Sequence, residues 1–162
     1  MRFMSEKLYK VMVADDEYWV RENLRTIIDW GKYSLFFMEP GVDGRDVLDK
    51  MEKDCPDILI TDINMPYING VELMKLIKER YPRVVTIVLS GYSDFEYVRE
   101  SLLIGAVDYL LKPITKKALI NVLAKAVDVI SRKQIFAKEQ ESIKEKLLQA
   151  SSLLMDKELS MF

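Results

Sequence analysis

The chain has 162 residues, 49% hydrophobic and 31% charged, with a formal net charge of −2: enough for one compact domain plus an appendage, without the basic excess that phosphate contacts to DNA exploit. It has no histidine, which excludes the usual general base, the usual zinc ligand and every imidazole triad. Any chemistry therefore falls to carboxylates, hydroxyls, lysine or a hard metal ion.

Five short apolar segments alternate with five helix-like ones. Leu8–Ala14 reads as a first strand, ending at Asp15 and Asp16. Tyr18–Asp29 follows as a helix, with Val20, Leu24, Ile27 and Ile28 at helical spacing. Leu35–Met38 is a weak second strand closed by Pro40-Gly41, and Asp46–Lys53 a short helix after the Asp43-Gly44 turn. Ile58–Thr61 is a third strand whose unbroken apolar run predicts burial on both faces. Val71–Arg80 is a helix that Pro82 helps to stop; Val84–Leu89, Asp94–Ile104 and Val107–Leu111 are the next strand, helix and strand. A last helix begins near Thr115, after Pro113. Cys55, the single cysteine, cannot form an internal disulfide, which fits a reducing compartment, and is expected as a packing residue at a helix end. No apolar run approaches the ~20 residues of a membrane span. Met1–Met4 lacks the apolar region of a secretion signal. The expected location is the cytoplasm, with no membrane contact.

Throughout-apolar strands alternating with helices predict a doubly wound α/β fold with a parallel sheet covered on both faces. Ligands in such folds bind outside the carboxyl ends of the strands. There the sequence places Asp15, Asp16 and Glu17 after strand one, Asp62 then Ile63-Asn64-Met65-Pro66 after strand three, Ser90 after strand four and Lys112 after strand five. Clustered carboxylates repel, and a hard divalent cation such as Mg²⁺ relieves that repulsion while leaving room for phosphoryl oxygens. Asp62 could then act as nucleophile, with Lys112 and the Ser90 hydroxyl contacting phosphoryl oxygens. Taken singly, each has a plainer role: Asp15-Asp16 as a helix cap, Lys112 as a solvated lysine, Ser90-Gly91 as a turn.

Four stretches in order carry a resemblance: Val13-Ala14-Asp15-Asp16-Glu17, Ile60-Thr61-Asp62-Ile63-Asn64-Met65-Pro66, Leu89-Ser90-Gly91-Tyr92 and Asp108-Tyr109-Leu110-Leu111-Lys112-Pro113. Over residues 7–130 the chain resembles the response-regulator receiver domains of two-component signalling. The resemblance implies a (βα)5 flavodoxin-like fold with strand order 2-1-3-4-5 and phosphorylation of Asp62 by a sensor histidine kinase. It implies Mg²⁺ bound by Asp16, Asp62 and the backbone carbonyl of Asn64, with Asp15 acting through water, and a switch made of Ser90 and Tyr109. Gly91 stands where the family often has alanine or another small residue; glycine adds backbone freedom, which leaves the lifetime of the acyl phosphate open. Ile28-Asp29-Trp30 and Ser90–Tyr97 look like receivers attached to AraC-type helix-turn-helix transcription regulators. DNA contact would then belong to a further C-terminal domain.

Two other classes compete. A phosphohydrolase of the haloacid-dehalogenase type also uses an Asp nucleophile and Mg²⁺, but needs a second Asp where this chain has Asn64. A flavodoxin-like nucleotide module would need a glycine-rich loop after strand one, where this chain has acids. The domains expected are a receiver over 1–130 and a helical linker over 131–162. From Leu119 a stripe with alternating three- and four-residue steps runs through Val122, Ala126, Val129, Lys133, Phe136, Gln140, Ile143, Leu147, Ala150, Leu154, Lys157 and Met161. Its 3.5-residue period points to a coiled coil and a homodimer through the C-terminal helix; the plainer alternative is an amphipathic spacer.

Overall fold

The computed structural model describes residues 8–160, with side chains up to Met155. Met1–Met4, Met161 and the side chain of Lys157, all used in the sequence reading, lie outside that range. The elements are β1 (Tyr9–Ala14), α1 (Tyr18–Ile27), a 3-10 turn (Trp30–Tyr33), β2 (Leu35–Phe37), α2 (Gly44–Lys53), β3 (Ile58–Asp62), α3 (Gly70–Arg80), β4 (Val85–Ser90), α4 (Phe95–Ile104), β5 (Asp108–Leu111) and α5 (Lys116–Ser160). All strand pairings are parallel and the sheet order is β2-β1-β3-β4-β5. This is the expected doubly wound, flavodoxin-like arrangement, with a long C-terminal helix.

Every residue of β3 and β4 is buried, as their apolar runs require. One core layer gathers Met12, Leu59, Leu73 and Ile77, and another Ile63, Met74 and Val88. Local polar groups set the helix starts. Asp43 accepts from the Asp46 N–H at 2.8 Å, Asn69 from the Glu72 N–H at 2.9 Å, and Thr115 Oγ1 from the Ala118 N–H at 3.2 Å. The Asp43 cap starts α2 at Gly44, two residues before the sequence reading placed it.

Two further details differ from the sequence reading. The first helix stops at Ile27, because Ile28 turns extended and the chain then enters the Trp30–Tyr33 turn. The Trp30 indole holds that turn down, donating to the Leu24 carbonyl at 3.1 Å and packing on Phe37. Cys55 is exposed rather than packed, since α2 ends at Lys53 and Asp54 is already extended. Its thiol is still pushed up, first by partial burial and then by the charges of Asp57 and Asp54, which makes it a poor nucleophile.

The chain divides into two compact units, residues 1–127 and 128–162. The first contains the sheet, and Leu119, Val122, Leu123 and Ala126 are among its buried residues. The second is helical, and from Arg132 to Met155 every residue is exposed. No described helix is long and apolar enough to cross a membrane.

Gly70 governs how closely α3 approaches the end of β3. Its N–H donates to the Ile63 carbonyl at 2.8 Å, and a Cβ there would overlap the Asp62 carbonyl oxygen and come within 2.9 Å of the Ile63 Cα. Backbone cannot retreat as a flexible side chain can. Gly70→Ala should therefore cost about 1–3 kcal/mol in urea unfolding, as overpacking does. At Gly91 a Cβ would meet only Asp94 Oδ2, at 3.7 Å, so Gly91→Ala should stay within about 0.5 kcal/mol.

Candidate functional site

The carboxyl ends of β1, β3, β4 and β5 meet at one edge of the sheet. Asp15 (0% exposed) and Asp62 (5% exposed) are buried there, while Asp16 is exposed. Each of the three offers a carboxylate oxygen, and these atoms lie within 4.8 Å of one another. Backbone donors hold the two buried carboxylates: Asp15 Oδ1 accepts from the Glu17 N–H at 2.9 Å, and Asp62 Oδ1 from the Ile63 N–H at 2.9 Å. Lys112 Nζ stands 2.9 Å from Asp15 Oδ2 and 3.4 Å from Asp62 Oδ2. Apart from that ion pair, Asp15 Oδ2 accepts no hydrogen bond.

The electrostatics follow from this crowding. Burial, then the negative charge of Asp15, pushes the Asp62 carboxyl up to about 6, against the opposing pull of Lys112. Burial alone would lower the Lys112 ammonium. The hydrogen bond and charge of Asp15, then those of Asp62, more than offset it and leave the group above its usual value. Two acids share one lysine, so the site is short of positive charge.

Ser90 is fully buried, and its Oγ has no hydrogen-bond partner among the described residues. The Lys112 N–H donates to the Ser90 carbonyl at 2.8 Å, joining the ends of β4 and β5. Tyr109 is 44% exposed and pairs in register with Val88. It lines, with Ser90, Phe95, Leu102 and Leu111, an open, largely apolar cavity of about 550 Å³. The Lys112–Pro113 peptide is cis, which the sequence reading did not foresee.

The sequence reading missed Asp94, treating it only as the start of a helix. Its side chain makes no cap. Instead Oδ2 accepts from the Gly91 N–H at 2.9 Å and Oδ1 from Asn64 Nδ2 at 3.1 Å. It thus ties the loop after Asp62 to the loop after Ser90. An aspartate three residues after a Ser-Gly turn was the available signal, but its second partner is 30 residues away.

Comparison with known proteins agrees with this geometry. Residues 11–124 match the response regulator receiver domain family. The chain is 37% identical over 127 residues to the transcriptional regulatory protein HptR of Staphylococcus aureus, covering 78% of this chain and 50% of that protein. It is 32% identical over 152 residues to the transcriptional regulatory protein YesN of Bacillus subtilis, itself uncharacterized, covering 94% of this chain and 41% of that one. It therefore spans about half the length of the curated relatives it matches. Among solved structures, the receiver domain of the response regulator AraT from Geobacillus stearothermophilus superposes with a TM-score of 0.74 at 35% identity, covering 78% of this chain and 98% of that one. A two-component transcriptional regulator AraC from Clostridium phytofermentans gives 0.72 at 30% identity, with the same coverage.

The raised Asp62 carboxyl predicts a pH-dependent stability. Its folded value lies above its unfolded one, so ionisation destabilises the fold progressively as pH rises from about 4 through 6. Two units correspond to about 2.7 kcal/mol, which residual solvent access reduces. In metal-free buffer Asp62→Asn should be more stable than wild type by about 1–2 kcal/mol at pH 7.5, with the gain nearly gone at pH 4. Urea titrations at the two pH values check it.

Proposed function

The chain belongs to the response-regulator receiver family, and on that premise we propose that Asp62 accepts a phosphoryl group from a phosphohistidine of a sensor kinase. The observation that carries this reading is a buried carboxylate at the end of the central strand, held beside two further acids and one lysine. An Asp62 oxygen attacks phosphorus as the P–N bond breaks, and the imidazole leaves with that electron pair.

The donor set suits Mg²⁺: all ligands are oxygens, and the surplus negative charge that raises Asp62 is what a hard cation relieves. Asp16, Asp62 and the Asn64 backbone carbonyl would hold the ion directly, with Asp15 acting through water. When bound, the ion neutralises charge that develops on the transferred group.

Lys112 is engaged with Asp15 and Asp62 before transfer; a phosphoryl group on Asp62 offers it a stronger partner. The unpartnered Ser90 Oγ supplies a second donor. Movement of Ser90 toward the phosphoryl group opens space beside it, and Tyr109, half-exposed in the adjoining cavity, turns in to fill that space. The output is a changed face built from α4 and β5. By analogy with the transcriptional regulators it matches, the chain acts in the cytoplasm as the receiver (1–130) and linker (131–162) of a longer protein whose DNA contact lies in another domain.

Phosphohydrolase activity is disfavoured by Asn64, an amide that cannot relay a proton and whose Nδ2 is engaged with Asp94. Intact-mass measurement with a small phosphodonor should give one added phosphoryl group per chain in Mg²⁺ and none in EDTA. Asp62→Asn should give none, and Asp16→Ala less than wild type. Full labelling of Asp62→Asn, or steady turnover of the donor with no phosphorylated chain, would overturn the assignment.

Lys112→Ala should keep the fold in Mg²⁺, since Lys112 lies outside the core layers, but with lower stability in metal-free buffer, where Asp15 and Asp62 lose the cation they share. It should nevertheless uncouple phosphorylation from the switch. NMR shifts of Tyr109 that respond to a phosphate mimic as in wild type would contradict its role.

A further inference from the structure

The helical unit from Asp128 onward carries an apolar stripe that is exposed among the described residues. Phe136 (62% exposed), Ile143, Leu147 (66% exposed) and Leu154 all face solvent. A helix gains most of its stability from packing an apolar face, so this one calls for a partner. In heptad terms Lys133, Gln140, Leu147 and Leu154 occupy a positions, and Phe136, Ile143 and Ala150 occupy d positions.

The flanking charges identify the partner. Glu139 falls at a g position and Lys144 at the e position five residues on. In a parallel, in-register pair, Glu139 of each chain faces Lys144 of the other, giving two attractive contacts by symmetry. Neither residue has an ion pair of its own among the described residues. Antiparallel pairing over the same span would set Lys144 against its own copy, and Lys146 against its own copy. Of the polar a-position side chains, Gln140 agrees with the parallel choice, because in register it meets its own copy in one layer, where the two amides satisfy each other, whereas Lys133 meets its own copy and weakens the pair. A slip of one heptad would bury one Gln140 against Leu147 and set the other against Lys133.

We propose that the occupant of this stripe is a second copy of the chain, joined through residues 133–154 as a parallel, in-register, left-handed coiled coil. The Lys133 and Gln140 layers keep the association weak enough to be reversible in the micromolar range. The pairing does not require phosphorylation of Asp62, so the two readings fail separately.

Sedimentation equilibrium of the unphosphorylated full chain at low salt tests it, with a 18.9 kDa protomer passing to a dimer as concentration rises. Glu139→Lys replaces two attractions by two repulsions and should weaken the dimer at least about fivefold. Adding Lys144→Glu to it should restore the affinity. With Cys55→Ser, Gln140→Cys should form a disulfide with its own copy on mild oxidation. A monomer at all concentrations overturns the proposal, as does a trimer or tetramer. A dimer that ignores both charge changes and does not cross-link at Gln140→Cys overturns it too.

Discussion

Two carboxylates buried side by side, Asp15 and Asp62, are the constraint on which the site depends. Like charges withdrawn from water raise each other's energy, and Lys112 with two backbone N–H groups compensates only in part. The remainder is stored as the upward shift of Asp62 to about 6. Such an arrangement persists only where the surrounding structure leaves no alternative. Here the fully buried strands β3 and β4 provide that rigidity.

The same rigidity explains how a local charge event can reach the surface. Asp62 sits between two loops that are already connected, because Asp94 binds both the Asn64 amide and the Gly91 N–H. Lys112 is joined through its N–H to the Ser90 carbonyl. Under the proposed function, a phosphoryl group on Asp62 would act on the ends of β4 and β5 through hydrogen bonds present beforehand. The apolar cavity beside Tyr109 leaves that ring room to move. Close packing on the opposite side, where Gly70 lets α3 press against the Asp62–Ile63 backbone, gives the strand end no comparable freedom. Under the proposed function, this asymmetry would direct the response toward α4 and β5.

The helical unit obeys a different physics. Its side chains are exposed from Arg132 to Met155, so its order depends on local propensity and on association rather than on the sheet. A parallel pair would bring two receivers onto the same end of one coiled coil. The face of α4 and β5 and the exposed apolar stripe belong to separate units.

The fold was legible in the sequence because short, largely apolar strands alternated with segments of helical period, several of them with a cap. The candidate site was legible because a parallel sheet sends every strand's last residue to the same edge, so Asp15, Asp62, Ser90 and Lys112 could be grouped from order alone. Short-range competition was less legible: the first helix yielded to the Trp30 turn through contacts with Leu24 and Phe37, and Cys55 is exposed where the chain leaves α2 extended at Asp54. Asp94 is, from the sequence, only the first residue of a helix, yet its carboxylate finds donors 30 residues away and at Gly91. The sequence by itself determined which groups reach the sheet edge, since that depends only on strand order and period. Only the tertiary structure decided which of them pair, which stay unsatisfied and how far Asp62 is raised, because those outcomes depend on distances between groups far apart in the chain and on how much water remains around them.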